Sequence, residues 1–278
     1  MSMRETAFAK INLALHVRRR REDGYHEIET LFAFVDDGDR LSVEVAEQDS
    51  LTIDGEFAEG LSTDPDNLVL CAITLARELG ADVPPLAIAL EKNLPVAAGL
   101  GGGSADAGAM LRLILREWPS TLSLDAVAAA SATLGADVPA CLLSRTMLGT
   151  GVGEILQPIA DSDVAGLPVL LVNPNVPLLT GPVFKGWDGE DRGPLGQGGV
   201  LAVTRAGRND LQGPAMAICP EIDDVMTVLR AQLPLVARMS GSGATCFALF
   251  DSNAAMEAAA NRIWDDHPDW WLMAGHLR

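Results

Sequence analysis

The sequence predicts an α+β fold, on three observations. Strand-like segments come before helical ones in both halves of the chain, which separates the two element types instead of alternating them. One strand, near Leu86–Leu90, runs through a glycine-rich loop straight into an apolar helix. The 278 residues, 48% hydrophobic and 21% charged, suffice for one large core or two of ordinary size.

Ala7, Ala9, Ile11, Leu13, Leu15 and Val17 mark the first strand. Arg18–Arg21 followed by Glu22, Asp23 and Gly24 read as a solvated hairpin tip. A second strand over 27–35 is expected to end at the turn-like Asp36-Asp37-Gly38-Asp39, before a third over 40–46 and a fourth over 51–53. Asp66-Asn67 caps a helix over 68–79, with Cys71, Ala72, Leu75 and Leu79 on one face. A strand over 86–90 and the glycine loop lead to a helix over 104–117, with Ser104 expected at its cap. Asp125 is expected to cap the next helix, and 134–139 is a loop before a short helix from Ala140 and a hairpin over 146–156. The stretch 158–166 reads as a boundary between a first domain, 1–157, and a second, 158–278. Beyond it come a buried strand over 169–173, helices over 208–218 and 221–233, a strand over 246–250, a helix over 254–264 and a last strand over 270–276. Between them, 186–199 carries glycine at 186, 189, 193, 196, 198 and 199 and reads as a mobile surface loop without chemistry.

Composition excludes several roles. A formal net charge of −18 disfavours nucleic acid and anionic membrane as partners. No apolar run reaches the ~18 residues of a membrane helix, and Met1–Thr6 lacks the apolar core of a signal peptide, so a cytoplasmic location is expected. Cys71, Cys141, Cys219 and Cys246 lie far apart and read as reduced, buried thiols, not a metal centre or a disulfide framework.

The glycine loop is the strongest signal. Four glycines at 99 and 101–103 leave the backbone amides open to a polyanion, and the following helix points its positive end at the same place. A Walker loop needs a lysine after its last glycine, whereas Gly103 is followed by Ser104 and Ala105. The dinucleotide fingerprint needs a sixth-position glycine, and counted from Gly99 that position is Ser104. Both designs are excluded.

Other residue types suit a transfer to an alcohol. Strand alternation puts Lys10 and Asn12 on one face, opposite Ala9, Ile11 and Leu13. Asp137 sits between Gly135 and Pro139 in a constrained turn. An aspartate and a lysine together suit proton removal from a hydroxyl: the carboxylate takes the proton and the ammonium stabilises the oxyanion. Tyr25-His26 offers a ring for stacking and an imidazole for hydrogen bonds. A second small-residue cluster, Met239–Ala244, permits close approach to an anion or to the first loop.

Ala9–Asn12, Pro95–Asp106 and Met239–Cys246, in this order, resemble the three motifs of the GHMP kinase superfamily over nearly the whole chain. Arg21–His26, Asp66–Leu68, Leu134–Pro139, Gly149–Leu156 and Thr180–Lys185 resemble the branch that acts on CDP-linked methylerythritol. The resemblance implies a two-domain fold, ribosomal-protein-like at the N-terminus and ferredoxin-like at the C-terminus. It implies ATP-dependent phosphorylation of the substrate's 2-hydroxyl, with Mg²⁺, by a monomer or weak homodimer. Asp137 is then the general base and Lys10 its partner; Asn12 and Thr180 hold the polyol or diphosphate; Tyr25 and Phe184 sandwich the cytosine and His26 reads its edge. Asn67 and Lys92 lie near the adenine, while Pro95, Val96, Ala97, Ala98, Gly99, Leu100, Gly101, Gly102, Gly103, Ser104 and Ala105 surround the triphosphate. Ser104, the only loop hydroxyl, is the candidate near the metal, with no acidic ligand named. Two alternatives remain: a kinase of the same superfamily for another small alcohol, and a nucleotide-binding regulator without turnover.

Overall fold

The computed structural model describes residues 2–118, 121–160 and 163–278. The expected boundary at 158–166 includes 161–162, which lie outside them. Two compact units are present: Met1–Ala9 with Asp37–Leu94 and Gly101–Ser144, and Lys10–Asp36 with Pro95–Leu100 and Arg145–Arg278.

Two long strands open the chain, β1 (Met3–Arg20) and β2 (His26–Val45), which pair with each other. No turn interrupts β2 at 36–39. Gly38 lies so close to β1 that a Cβ there would sit 2.0 Å from the Ala7 carbonyl oxygen, and Asp39 points inward, fully buried. A polar run that mimics a turn is here a strand with an inward carboxylate.

In the first unit, β3 (Ser50–Asp54) pairs in parallel with β4 (Leu86–Glu91), which pairs antiparallel with the Arg40–Val45 end of β2. Four helices complete it: α1 (Leu68–Glu78), α2 (Gly102–Glu117), α3 (Leu124–Ser131) and α4 (Val138–Leu143). The α1 cap is Asn67, whose Oδ1 accepts the Val69 amide at 2.9 Å. Ser123, not Asp125, caps α3 by accepting the Ala126 amide at 3.2 Å; the aspartate lies inside the first turn, where its charge suits the dipole. Helix α2 is alanine-rich and buried from Ala105 to Leu111. At Gly108 it meets α4, where a Cβ would lie 2.7 Å from the Cys141 carbonyl carbon, so only glycine permits this approach.

In the second unit, β5 (Met147–Thr150) pairs with Thr30–Phe32 of β2 and with β6 (Ile155–Pro158). Next come β7 (Pro168–Asn173), α5 (Thr180–Lys185), α6 (Val200–Ala206), α7 (Gln212–Ile218) and α8 (Glu221–Ala231). The last elements are β8 (Val236–Met239), β9 (Cys246–Leu249), α9 (Asn253–Asp266) and β10 (Trp271–His276). Strands β10-β7-β9-β8 form an antiparallel sheet. Helices α8 and α9 pack on it, burying Val225, Met226, Met256 and Ile263 against Leu170, Val172, Cys246 and Ala248. Helices α5 and α6 were not expected, since short segments give periodicity little room. Helix α7 begins at 212 instead of 208 because the preceding backbone joins β1: the Leu15 amide donates to the Arg208 carbonyl at 2.8 Å and the Asp210 amide to the Leu15 carbonyl at 2.9 Å.

The glycine-bearing segment 186–199 is tied down. Asp191 pairs with Arg18 at 3.1 Å, and the Leu195 amide donates to Glu29 Oε2 at 2.8 Å. Buried His16 accepts the Arg208 amide at Nε2 (3.3 Å), which leaves Nδ1 to donate to the Gly193 carbonyl at 3.1 Å. Both bonds require the neutral imidazole. Burial, then the Arg208 charge, lowers its pKa below the usual 6.5. The unfolded chain therefore takes up a proton first, and stability present above pH 6.5 is lost as pH falls through the lowered folded value. Urea midpoints should fall on acidification through this window, and His16→Gln should flatten that slope. An unchanged slope would remove His16 from the pH response.

Candidate active site

The glycine segment straddles the two units: Pro95–Leu100 belongs to the second and Gly101 onward to the first. In the first unit, α2 starts at Gly102, two residues before the expected Ser104 cap. Its cap residue is Gly101, in the left-handed region at φ 66°, with no side-chain cap hydrogen bond. The first-turn amides are thus left to an external acceptor, where the helix dipole favours an anion. A Cβ at Gly103 would meet only Leu68 Cδ1 at an ordinary 3.5 Å, so packing does not account for glycine there. Ser104 is the third helical residue, half-buried, and its Oγ lies within 3.8 Å of where a Gly135 Cβ would stand.

The same unit holds a buried ion triad. Lys92 Nζ donates to Asp39 and, at 2.8 Å, to Asp106 Oδ2. Asp39 Oδ1 also accepts the amides of Asn93 and Leu94 at 2.6 and 2.8 Å. The other Asp106 oxygen is buried without a hydrogen-bond partner. Burial pushes the Asp106 carboxyl up to about 7, with Asp39 adding to the rise and Lys92 opposing it. Burial pulls Lys92 down, but its two carboxylates outweigh that and raise it. The two residues expected near the adenine thus carry structural work: Lys92 pairs with Asp39 and Asp106, and Asn67 caps α1 while donating to the Ser62 carbonyl at 2.8 Å. Asp137 occupies the cap position of α4, yet its carboxylate makes no cap hydrogen bond.

In the second unit, Lys10 and Asn12 are both buried on one face of β1, as alternation predicts. Lys10 Nζ donates to Asn12 Oδ1 at 2.9 Å and lies 5.5 Å from the Phe32 ring centre. Asn12 Nδ2 donates to Thr30 Oγ1 at 2.7 Å, fixing the amide's orientation. The second small-residue cluster lies against the first loop. Ser240 Oγ donates to the Gly99 carbonyl at 2.9 Å, the Thr245 amide to the Ala98 carbonyl at 3.1 Å, and Asn209 Nδ2 to the Gly241 carbonyl at 2.8 Å. A Cβ on Gly99 would lie 2.3 Å from the Ser240 carbonyl oxygen, so this docking demands glycine.

Also in the second unit, Tyr25 stands 64% exposed at the β1–β2 turn. The neighbouring His26 is buried, its ring 5.1 Å from Phe184 and 5.7 Å from Trp187. Thr180 and Ser242 share a 3.0 Å hydroxyl contact. Among the described residues no group of three or more His, Cys, Asp or Glu side chains could hold a metal ion.

The chain matches the family models "GHMP kinases N terminal domain" over residues 67–145 and "GHMP kinases C terminal" over 201–267. It is 58% identical to the 4-diphosphocytidyl-2-C-methyl-D-erythritol kinase of Sphingopyxis alaskensis, across 100% of this chain and 99% of that one. The chain belongs to the 4-diphosphocytidyl-2-C-methyl-D-erythritol kinase family. The Erythrobacter litoralis kinase of the same name is 55% identical, with 99% of each chain covered. A crystal structure of 4-(cytidine 5'-diphospho)-2C-methyl-D-erythritol kinase superposes with a TM-score of 0.80 at 35% identity, covering 99% of each chain. Homoserine kinase from Cytophaga hutchinsonii, at 16% identity and TM-score 0.72 with 99% of this chain and 95% of that one covered, shares the fold. The two-domain α+β GHMP architecture expected from the sequence is the one found.

In this small-molecule kinase, sequence reasoning missed Asp39, Asp106 and Trp187. Asp106 closes the glycine motif and was readable as an inward charge one turn into an apolar helix. Trp187 lay in a segment read as featureless, and its bulk among glycines was the available signal.

Proposed function

We propose that this chain transfers the γ-phosphoryl group of ATP to the 2-hydroxyl of 4-diphosphocytidyl-2-C-methyl-D-erythritol, releasing ADP. The observation that carries the reading is full-length identity of 58% to a kinase so named. The uncapped start of α2 supports the donor side: its amides and dipole suit the charge that spreads over phosphoryl oxygens in a loose transition state.

The proposed roles follow from each group's chemistry. Asp137 accepts the proton of the 2-hydroxyl as that oxygen attacks phosphorus and the bond to ADP breaks. Lys10 stabilises the negative charge that develops on the oxygen, its ammonium oriented by Asn12. Asn12 and Thr180 hold the polyol or diphosphate, Asn67 and Lys92 lie near the adenine, and Pro95–Ala105 surrounds the triphosphate. The segment 1–157 binds the nucleotide and 158–278 supplies the rest of the acceptor site. ³¹P NMR of the product should show a new phosphomonoester on the 2-oxygen; a phosphate elsewhere would overturn the assignment.

The donor set fits a magnesium ion that enters with ATP better than one held by the protein alone. No acidic cage exists among the described residues, and Ser104 at the start of α2 offers one hydroxyl oxygen. Bound there, the ion would neutralise phosphate charge, with Ser104 as its protein contact. No helix among the described residues is long and apolar enough to cross a membrane. A monomer or weak homodimer working on dissolved substrates in the cytoplasm fits this reading.

Tyr25 is proposed to stack on the cytosine, with Phe184 on the other side and His26 at the base edge. Exposure of 64% leaves the Tyr25 ring available for this, and its loss disturbs little of the core. Tyr25→Ala should raise KM for the cytidine substrate by about tenfold, one base–aromatic stack, with kcat little changed. Steady-state kinetics check this, and an unchanged KM would remove Tyr25 from the pocket.

A further inference from the structure

Trp187 follows α5 by two residues, in a segment that brings no bulky neighbours of its own: Gly186 precedes it, and Asp188-Gly189 follow. Its ring is nonetheless partly buried in the second unit's core, beside Phe184. The indole and the His26 imidazole meet edge to face, with centroids 5.7 Å apart and planes at 86°. Phe184 contacts the same imidazole at 5.1 Å with a tilt of 37°. Two aromatic side chains therefore contact the imidazole, one tilted and one edge to face.

Two further facts bear on how the indole acts. Its Nε1 is buried and has no hydrogen-bond partner, so its contact with His26 is through the ring and not through a hydrogen bond. The chain just beyond it is fixed from the β-strand side, through Arg18 to Asp191, His16 to Gly193 and Glu29 to Leu195. The backbone that carries Trp187 is thus fixed on both sides, by α5 and by these three ties.

We propose that Trp187 is a positioning residue for cytidine recognition: it sets the plane of the His26 ring, and so the directions in which its nitrogens meet the base. This rests on the reading of His26 as the group at the cytosine edge. Ring orientation matters because hydrogen bonds weaken steeply once misaligned, whereas stacking tolerates rotation. The segment 186–199, expected to carry no chemistry, thereby contributes to acceptor specificity through one side chain. Burial, followed by the Arg20 charge, lowers the His26 pKa and favours a neutral ring with one donor and one acceptor nitrogen.

A double-mutant cycle on the full-length enzyme tests this, reading KM for the CDP-linked substrate against kcat for wild type, Trp187→Ala, His26→Ala and the double variant. Trp187→Ala should raise KM by about three- to tenfold, the range an aromatic pair's contribution implies, with kcat within about twofold. Trp187→Phe keeps an aromatic edge on His26 and should recover most of that loss. In the His26→Ala background, removing Trp187 should add less than about twofold, because the ring it orients is gone. Equal effects of Trp187→Ala in both backgrounds would overturn the proposal, as would a wild-type KM for Trp187→Ala beside a raised KM for His26→Ala. A wild-type KM for His26→Ala would overturn the base-edge reading itself, and the positioning role with it. Thermal midpoints of each variant separate misfolding from these outcomes, and Trp187→Phe keeps the test valid if the alanine variant fails to fold.

Discussion

Asp137→Asn should lower turnover by about 10²-fold or more while the protein folds as before. Asparagine keeps the shape of the side chain and remains a good helix cap, so α4 has no reason to unravel. Nor does the native helix rely on this side chain for its start: the carboxylate makes no cap hydrogen bond, and Pro139 in the first turn sets the backbone. What the substitution removes is basicity. If Asp137 takes the proton from the attacking hydroxyl, kcat must fall while KM for ATP stays near wild type, since the amides at the start of α2 are untouched. Near-normal turnover in a folded variant would assign the proton to another group.

Lys92→Met is expected to be the most destabilising single change in the first unit, at about 3–5 kcal/mol, the cost of removing one partner from a buried ion pair. Methionine fills a similar volume, so the loss is electrostatic and not a cavity. Asp39 would keep its two backbone amides, but Asp106 would retain no cation and, with burial already raising it to about 7 and Lys92 no longer opposing, would have to take up a proton. The double variant Lys92→Met/Asp106→Asn should regain part of the loss, because asparagine is neutral without taking up that proton. Urea unfolding of the three proteins measures this. A Lys92→Met midpoint equal to wild type would show that the triad adds nothing to stability.

Much of the site is legible in residue order because its spacing is local. Two-residue alternation put Lys10 and Asn12 on one face, and the structure joins them at 2.9 Å. The glycine loop was readable because glycine has few other reasons to cluster between a strand and a helix. What local spacing cannot show is which distant groups meet. Asp36–Asp39 has the composition of a turn, and only Lys92 and the amides of Asn93 and Leu94 explain why Asp39 lies inside a strand. Nor does spacing show that the cluster at Met239–Ala244 meets the first loop, which the contacts of Ser240 with Gly99 and of the adjoining Thr245 with Ala98 reveal. Helix starts slipped for the same reason: Arg208–Asp210 reads as helix but is recruited as backbone beside β1.

Whether the chain is a kinase for the cytidine-linked alcohol is decided by ADP formation, measured with 4-diphosphocytidyl-2-C-methyl-D-erythritol, homoserine and mevalonate in parallel, with and without Mg²⁺. The expected result is Mg²⁺-dependent release of ADP with the cytidine-linked substrate and only background with the other two. Preference for an alcohol lacking cytidine would contradict the account, and ATP binding without ADP release on any of them would leave a regulator in place of a kinase.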